Sequence, residues 1–498
     1  MNEIKHAQRN TFVESSEWRI VLVMAAIGTS VGVLQAIEPR LASLLLAMSG
    51  VVGYAFLTLV HPFAAFVMLL FLALTVWLSV VEIASGISMM VGVGLIFTIA
   101  WLLHLAFRVR TFVKVREYGL LLGLTIMVFV SSLLNLDRMD SFAMAFTYLQ
   151  LFLLFVLVVN LITTPAQLQT LGVVIVASSA LVAVMILLDQ LHLLPLQLLR
   201  SPASNVLVTS GYVRIARASG LWGGPNMTAV QLTVALPFII EWWPTRRAAG
   251  QRMLLLGIVA AILAALLFTF SLGGIVGLVA IFLTKELGNA RRDVLFKILR
   301  TVFIVVIITF ILYGTLPDLY RQRFIAQFSV LVEGIRNLDE EQLLWIATGR
   351  GDAWMATIRA IAQSPFVGHG PGNAMAANAP YTVLFYGTKR APHNLFLSIG
   401  SELGLVGLAF FILLLFSLFL KISPSWRAQP ANSILQQTGR AVSVALVSYL
   451  AQGLALDIQN LKLLWILLGM AAVYARMNTD AAMITRNELK NEHRHPGR

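Results

Sequence analysis

Residues 391–408 read APHNLFLSIGSELGLVGL, closing a long polar insertion and opening a strongly apolar run that continues to position 420. A bilayer is crossed by a helix of roughly 20 apolar residues, so this run is long enough to span one. His393 and Asn394 therefore belong at the membrane surface, where a helix begins. An imidazole at that depth reaches both water and lipid head groups. The rest of the chain reads as a scaffold built around this point.

Apolar residues make up 58% of the 498 and charged residues only 12%, too few charges to coat a soluble protein of this size. Apolar runs of spanning length recur throughout, which makes the expected class an all-α polytopic membrane protein. The first 17 residues are polar and mixed in charge, and no small-residue cleavage site follows the first apolar run. We therefore expect no cleaved signal peptide. The formal charge of +13 fits retention of Lys and Arg in cytoplasmic loops better than nucleic-acid binding. With no cysteine in the chain, disulfides, thiolate metal sites and a cysteine nucleophile are excluded.

Candidate spans fall at 18–37, 41–60, 62–81, 85–107, 118–135, 142–162, 168–189, 226–242, 253–268, 271–283, 302–313, 393–420, 441–456 and 461–475. About fourteen transmembrane helices result. Under this count four basic loops share one side: Arg108 to Arg116, Arg246 to Arg252, Lys285 to Arg300, and Lys421 to Arg440. Both termini join them, and the positive-inside rule puts that side in the cytoplasm. The expected organisation is a cytoplasmic N-terminus (1–17), N-terminal spans (18–189), a first extracytoplasmic loop (190–225) and central spans (226–313). A large, helical extracytoplasmic loop (314–392), C-terminal spans (393–475) and a cytoplasmic tail (476–498) complete it.

Arginines in the outer loops are not explained by insertion topology. Arg214 and Arg217 precede Gly220, Gly223, Gly224 and Pro225, at the start of the next helix. Guanidinium forks and a helix N-terminus suit a phosphate or diphosphate. Pairing with anionic lipid heads or with a carboxylate such as Asp189 is an equal reading of the same spacing. In the second loop, residues 316–337 are amphipathic and carry Arg321 and Arg323, a pattern for lying flat on the outer leaflet. Asp339, Glu340 and Glu341 follow; with no histidine or spaced ligand nearby, they read as a solvated turn. Arg350 then leads into a short helix ending at Ser364-Pro365. After it comes the glycine-rich turn Phe366-Val367-Gly368-His369-Gly370-Pro371-Gly372-Asn373, free to approach a ligand closely. It lacks the Gly-Lys-Ser/Thr of a phosphate-binding Walker loop. His393 is the best candidate for proton chemistry, because an ordinary imidazole accepts a proton near neutral pH. A capping or interfacial hydrogen-bonding role is the competing reading. His369 sits within a turn, and His61, His104 and His192 are placed for packing.

The order Arg217-x-x-Gly220, Pro225-Asn226, Gly349-Arg350-x-x-x-Trp354, Ser364-Pro365-Phe366-Val367-Gly368-x-Gly370, His393-Asn394 and Glu402-x-Gly404-x-x-Gly407 resembles the O-antigen ligase and O-antigen polymerase superfamily. The resemblance covers residues 213–420. It implies glycosyl transfer on the outer face of a bacterial inner membrane, from a glycan carried on undecaprenyl diphosphate. It also implies that Arg217 and Arg350 bind the diphosphate, with Arg214 as a competitor for the first role, and that His393 acts on the acceptor hydroxyl. Asn394 and Glu402 are supporting candidates. Relatives often carry an arginine after the serine of the outer turn, where this chain has Leu272; Arg321 or Arg323 are candidates to supply that charge.

The resulting expectation is an inverting, metal-independent glycosyltransferase with no cofactor. Its acceptor is the lipid A-core for a ligase, or another lipid-linked glycan for a polymerase that joins repeat units. The ligase reading leads, since the histidine has its clearest assignment there, while length and extra spans suit a polymerase equally well. A lipid-linked glycan transporter would place ionisable groups near the midplane, and apart from His104 and Glu402 such groups are scarce.

Overall fold

A computed structural model of the chain describes residues 39–75, 82–84, 87–135, 138–193, 204–208, 211–215, 217–220, 224–246, 248–288, 322, 325, 350–386, 389–423 and 433–494. Fourteen α-helices dominate the described residues. In chain order these are α1 (Pro39–Val60), α2 (Pro62–Thr75), α3 (Met89–Ala106), α4 (Glu117–Leu134), α5 (Arg138–Leu161), α6 (Pro165–Gln190) and α7 (Pro225–Trp242). They continue with α8 (Ala249–Thr269), α9 (Leu272–Gly288), α10 (Gly351–Gln363), α11 (Ala374–Tyr386), α12 (Leu395–Ile422), α13 (Ile434–Gly453) and α14 (Lys462–Arg494). Two small antiparallel hairpins interrupt them, β1 (Glu82–Ala84) with β2 (Ile87–Ser88), and β3 (Ser204–Val208) with β4 (Gly211–Ile215).

Among the described residues six helices are long and apolar enough to cross a membrane, namely α3, α4, α5 from Asp140, α6, α8 and α12. Their outward faces keep large apolar side chains exposed, such as Leu122 and Ile126 on α4, Met253 and Leu254 on α8, and Leu413 and Phe416 on α12. In water such a surface would aggregate; against lipid tails it is matched. The fold is that of a helical membrane protein. Every expected span falls on a helix except 18–37 and 302–313, which lie outside the described residues. α7, α9, α13 and α14 do not join the six. α9 is short at 17 residues, and α13 carries Gln436, Gln437, Arg440 and Gln452.

The chain forms two compact units, residues 1–69 with 82–111, and residues 70–81 with 112–498. In the first, Phe66 packs on Phe97 with ring centroids 5.4 Å apart. There too the ring of His104 reaches the Leu59 carbonyl through Nε2 at 3.0 Å, a packing role as expected. In the second unit, close helix approaches are made at glycines. A Cβ on Gly469 of α14 would press on Val158 of α5, one on Gly123 of α4 on Phe410 of α12, and one on Gly439 of α13 on Tyr474 of α14. Small residues at contacts let backbones near one another where lipid supplies no hydrophobic drive. Polar side chains add cross-helix hydrogen bonds, including Gln452 Nε2 to Thr233 Oγ1 at 2.9 Å and Ser448 Oγ to the Gly277 carbonyl at 3.0 Å. α7 is buried nearly throughout.

The ends of these helices differ in chemistry. Lys421 at the end of α12 pairs with Glu117 at the start of α4, and Lys285 near the end of α9 pairs with Glu241 near the end of α7. Arg476 of α14 donates to the carbonyls of Val159 and Ile162 at the end of α5. α12 rises about 42 Å over its 28 residues, so His393 and Lys421 lie at opposite ends of it. Lys421, Lys285 and Arg476 stand at helix ends away from the candidate site.

Candidate active site

His393 has a left-handed backbone, φ 50°, a conformation that costs a non-glycine residue roughly 1–2 kcal/mol. What holds it there is Asp457, in the turn between α13 and α14. The amide N–H of His393 donates to Asp457 Oδ2 at 2.9 Å, and that of Asn394 donates to Oδ1 at 3.0 Å. The left-handed bend turns two successive amides toward one carboxylate, an arrangement that favours an anion. Ser398 Oγ also donates to Oδ1, at 2.5 Å, and the imidazole Nδ1 stands 3.3 Å from Oδ2. Asn394 caps α12 with its side-chain oxygen, accepting from the amides of Phe396 and Leu397 at 3.0 and 3.1 Å. Its Nδ2 reaches back to the Leu454 carbonyl at 2.9 Å.

Burial raises the proton affinity of the Asp457 carboxyl, but the hydrogen bonds from His393 and Ser398 and the charge of His393 bring it below the ordinary carboxylate value. Asp457 is thus held as an anion. The imidazole side chain is 46% exposed, and with Nδ1 directed at Asp457 its Nε2 is the nitrogen left for other chemistry. His393 is therefore both the helix-flanking residue and a histidine oriented by a carboxylate; the two readings are compatible.

Arg350 forms the N-cap of α10 and lies within electrostatic reach of Asp457. Burial works against its charge and the Asp457 carboxylate supports it. The structure thereby brings together His393, Asn394 and Arg350 around an aspartate.

Behind this surface the glycine-rich turn is used for packing against protein. α12 is broken at Gly404, φ 70° and ψ 179°, so carbonyls in the preceding turn lose their helical partners. The turn supplies replacements: His369 N–H donates to the Ser401 carbonyl at 2.8 Å and Gly370 N–H to the Glu402 carbonyl at 3.0 Å. The Leu405 N–H, freed by the break, donates to the Pro365 carbonyl at 2.7 Å. Ser131 Oγ donates to the Glu402 carbonyl at 2.7 Å. A Cβ on Gly404 would collide with the Phe366 carbonyl, and one on Gly368 with that of Glu402. The glycines permit close approach, as expected, but in the structure what approaches is α12. His369 is occupied as well, its Nε2 2.8 Å from the Ala360 carbonyl. The Glu402 carboxylate is 3% exposed and accepts from the Tyr148 hydroxyl at 2.9 Å and from the Gly372 amide.

Arg217 belongs to a different cluster. Its Nε donates to the Thr269 carbonyl at 2.8 Å, and its terminal nitrogen donates to the Phe270 carbonyl at 3.1 Å and to Asn226 Oδ1 at 3.0 Å. Ser271 Oγ donates to the same Asn226 oxygen at 2.9 Å. Phe270 is left-handed, φ 51°, so Arg217 fastens a strained turn between α8 and α9. Leu272 follows this turn, 49% exposed. Arg214 lies on β4, paired in register with Asn205; its side chain, and Arg321, Arg323 and residues 339–341, fall outside the described residues.

Asp457 is the candidate site residue that sequence reasoning missed. The span count already put its short turn on the same side as His393, but a lone aspartate in Leu-Asp-Ile-Gln-Asn carries no spacing signal, and its partner is 64 residues away.

Residues 256–412 match the family model described as O-antigen ligase, a segment holding Arg350, the glycine-rich turn, His393 and Glu402. No curated protein matches the chain. Over residues 256–412 the chain is similar to the O-antigen ligase family.

Proposed function

We propose that the protein transfers a glycan from undecaprenyl diphosphate to an acceptor hydroxyl, as an O-antigen ligase does, on the periplasmic face of a bacterial inner membrane. The observation that carries this reading is the His393–Asp457 pair at the mouth of α12 with Arg350 beside it. Asp457 keeps the proton of the imidazole on Nδ1, so Nε2 faces the acceptor hydroxyl as base. The acceptor oxygen attacks the anomeric carbon, the bond from that carbon to the diphosphate breaks with inversion, and the proton passes to Nε2. The diphosphate leaves with its electron pair. Arg350, with Arg214 as the second cation, stabilises the growing negative charge in a water-poor site, where fixed cations act most strongly, while Arg217 holds the α8–α9 turn. The separation of basic helix ends from the His393 end supports an extracytoplasmic site with both termini in the cytoplasm.

The test is incubation of purified protein with a defined undecaprenyl-diphosphate glycan, with and without lipid A-core, followed by sizing of the products. A single heavier lipid A conjugate is expected. A ladder formed without lipid A would replace the ligase by a polymerase, and no new glycosidic bond in either mixture would overturn the enzyme reading.

A further inference from the structure

α10 belongs to the insertion expected outside the membrane, yet its faces are arranged the wrong way round for a helix in water. It packs on α11 and α12, and the face it buries is made of the small residues Ala353, Ala356, Thr357 and Ala360. The opposite face carries Met355, Ile358 and, a turn later, Ala362, all exposed. Asp352, Arg359 and Gln363 fall together along one flank, a polar strip beside the apolar face. A helix folded in water turns its larger apolar side chains inward. Small residues toward protein and larger ones outward is the arrangement of a helix packed in lipid.

The exposed face runs on into a surface that meets lipid. The Leu405 N–H of α12 donates to the Pro365 carbonyl, and a Cβ on Gly400 would press on Ile361. Arg350, at the other end of α10, is within electrostatic reach of Asp457, which holds the start of α12. α10 therefore runs beside α12 in the same direction, and ends against Leu405, about 15 Å along α12 from Leu395. Phe366 follows, 70% exposed, next to the exposed Leu405 and Val406 of that membrane-crossing helix. α4 fixes how far the lipid extends. Its Ser131 donates to the Glu402 carbonyl, which puts those two residues at one level, and the exposed Leu133 and Leu134 lie further toward the His393 end. Leu134 is about 4.5 Å beyond Ser131, near the level of Ile399. Acyl chains that cover Leu134 also reach Ile361 and Phe366.

We infer that α10 is seated in the lipid leaflet on the His393 side, with Phe366 among the acyl chains and Met355, Ile358 and Ala362 facing lipid up through the head-group layer. Its polar strip, with the long side chain of Arg359, faces the head groups and water. Continuity with the exposed surface of α12 makes bilayer lipid the occupant of this face. The seat stands on geometry and does not rest on the glycosyl-transfer reading. Arg350, as the N-cap of α10, is carried on the upper end of a strut whose height is set by the membrane.

The chain contains no cysteine, so single cysteines can be labelled with a bimane fluorophore in the full-length protein. The variants are Phe366→Cys, Ile358→Cys and Arg359→Cys, with Leu405→Cys on α12 as the lipid-facing benchmark. Each is placed in phosphatidylcholine nanodiscs, with the acyl chains plain or brominated, and with or without iodide in the water. Brominated chains should remove most of the emission at Phe366→Cys, as at Leu405→Cys, and a smaller share at Ile358→Cys. Arg359→Cys should be quenched by iodide instead. These side chains are exposed, so melting temperatures should match wild type, and Met355→Cys replaces Ile358→Cys if that variant melts lower. Quenching by iodide alone at positions 366 and 358 would put α10 in water and overturn the seat. Quenching by neither agent would mean that protein covers this face, and equal bromine quenching at 358 and 359 would mean that the helix has no lipid-facing side; either result overturns it as well.

Discussion

Replacing Asp457 by asparagine keeps the size of the side chain and removes its charge. The carboxylate accepts four donors from α12 and its approach: two backbone amides, the Ser398 hydroxyl and the imidazole Nδ1. An asparagine has one acceptor oxygen, and its NH2 group would confront N–H donors on the other side. At least one bond to a charged acceptor is lost, each worth about 1.5–3 kcal/mol, and the left-handed His393 backbone costs roughly 1–2 kcal/mol by itself. The balance that keeps the imidazole in place is therefore reversed. At about 1.4 kcal/mol per factor of ten, glycan transfer should fall about tenfold to a hundredfold. His393→Ala removes the proposed base and should fall further, within the roughly hundredfold to ten-thousandfold range of general-base catalysis. The assay is the initial rate of transfer per monodisperse protein for Asp457→Asn, His393→Ala and the double variant. If Asp457 acts through His393, the double variant is no slower than His393→Ala. Wild-type transfer by Asp457→Asn, or multiplicative losses in the double variant, would refute the reasoning.

Acid should expose the same carboxylate. Asp457 titrates below its ordinary value, so its stabilisation is complete above the unfolded value of about 3.9 and is lost as pH falls through the lower folded value. Melting curves in detergent should show the gap between wild type and Asp457→Asn narrowing below about pH 4; a constant gap would contradict the pairing. Arg217→Ala removes donors to two carbonyls and Asn226 and should destabilise by roughly 2–3 kcal/mol, read as a lower melting temperature. Arg217→Lys should rescue little, since a single ammonium cannot reproduce the fork; full thermal stability in both variants would show that the turn does not depend on this residue. Gly404→Ala places a methyl on the Phe366 carbonyl in a left-handed backbone. It should be expressed poorly or melt well below wild type, and normal melting would mean that α12 and the glycine-rich turn are not interlocked.

The apolar helices were legible because lipid imposes a length and a hydrophobicity that few residues can violate, and the helix starting beside His393 follows from its apolar run and from an asparagine suited to capping. The short helix after Arg350 was legible from its breakers, ending before Ser364-Pro365 as expected. Partnership was not. Arg217 reads as a phosphate ligand in sequence, yet its guanidinium is fastened to the α8–α9 turn, and no local pattern announces a backbone carbonyl as a partner. The glycines at 368 and 370 signal close approach without naming what approaches. Asp457 was invisible for a related reason, since its meaning lies wholly in residues brought to it from another helix.

That dependence has a consequence for biogenesis. The histidine, the arginine and the interlocked turn are all synthesised before the α13–α14 hairpin, yet the carboxylate that orients the histidine arrives only with that hairpin. A nascent or truncated chain ending before residue 457 would carry every motif of the matched segment and still have an unset imidazole. On the proposed reading, competence to react would be conferred only once that hairpin is in place, so that copies lacking it would not transfer a glycan.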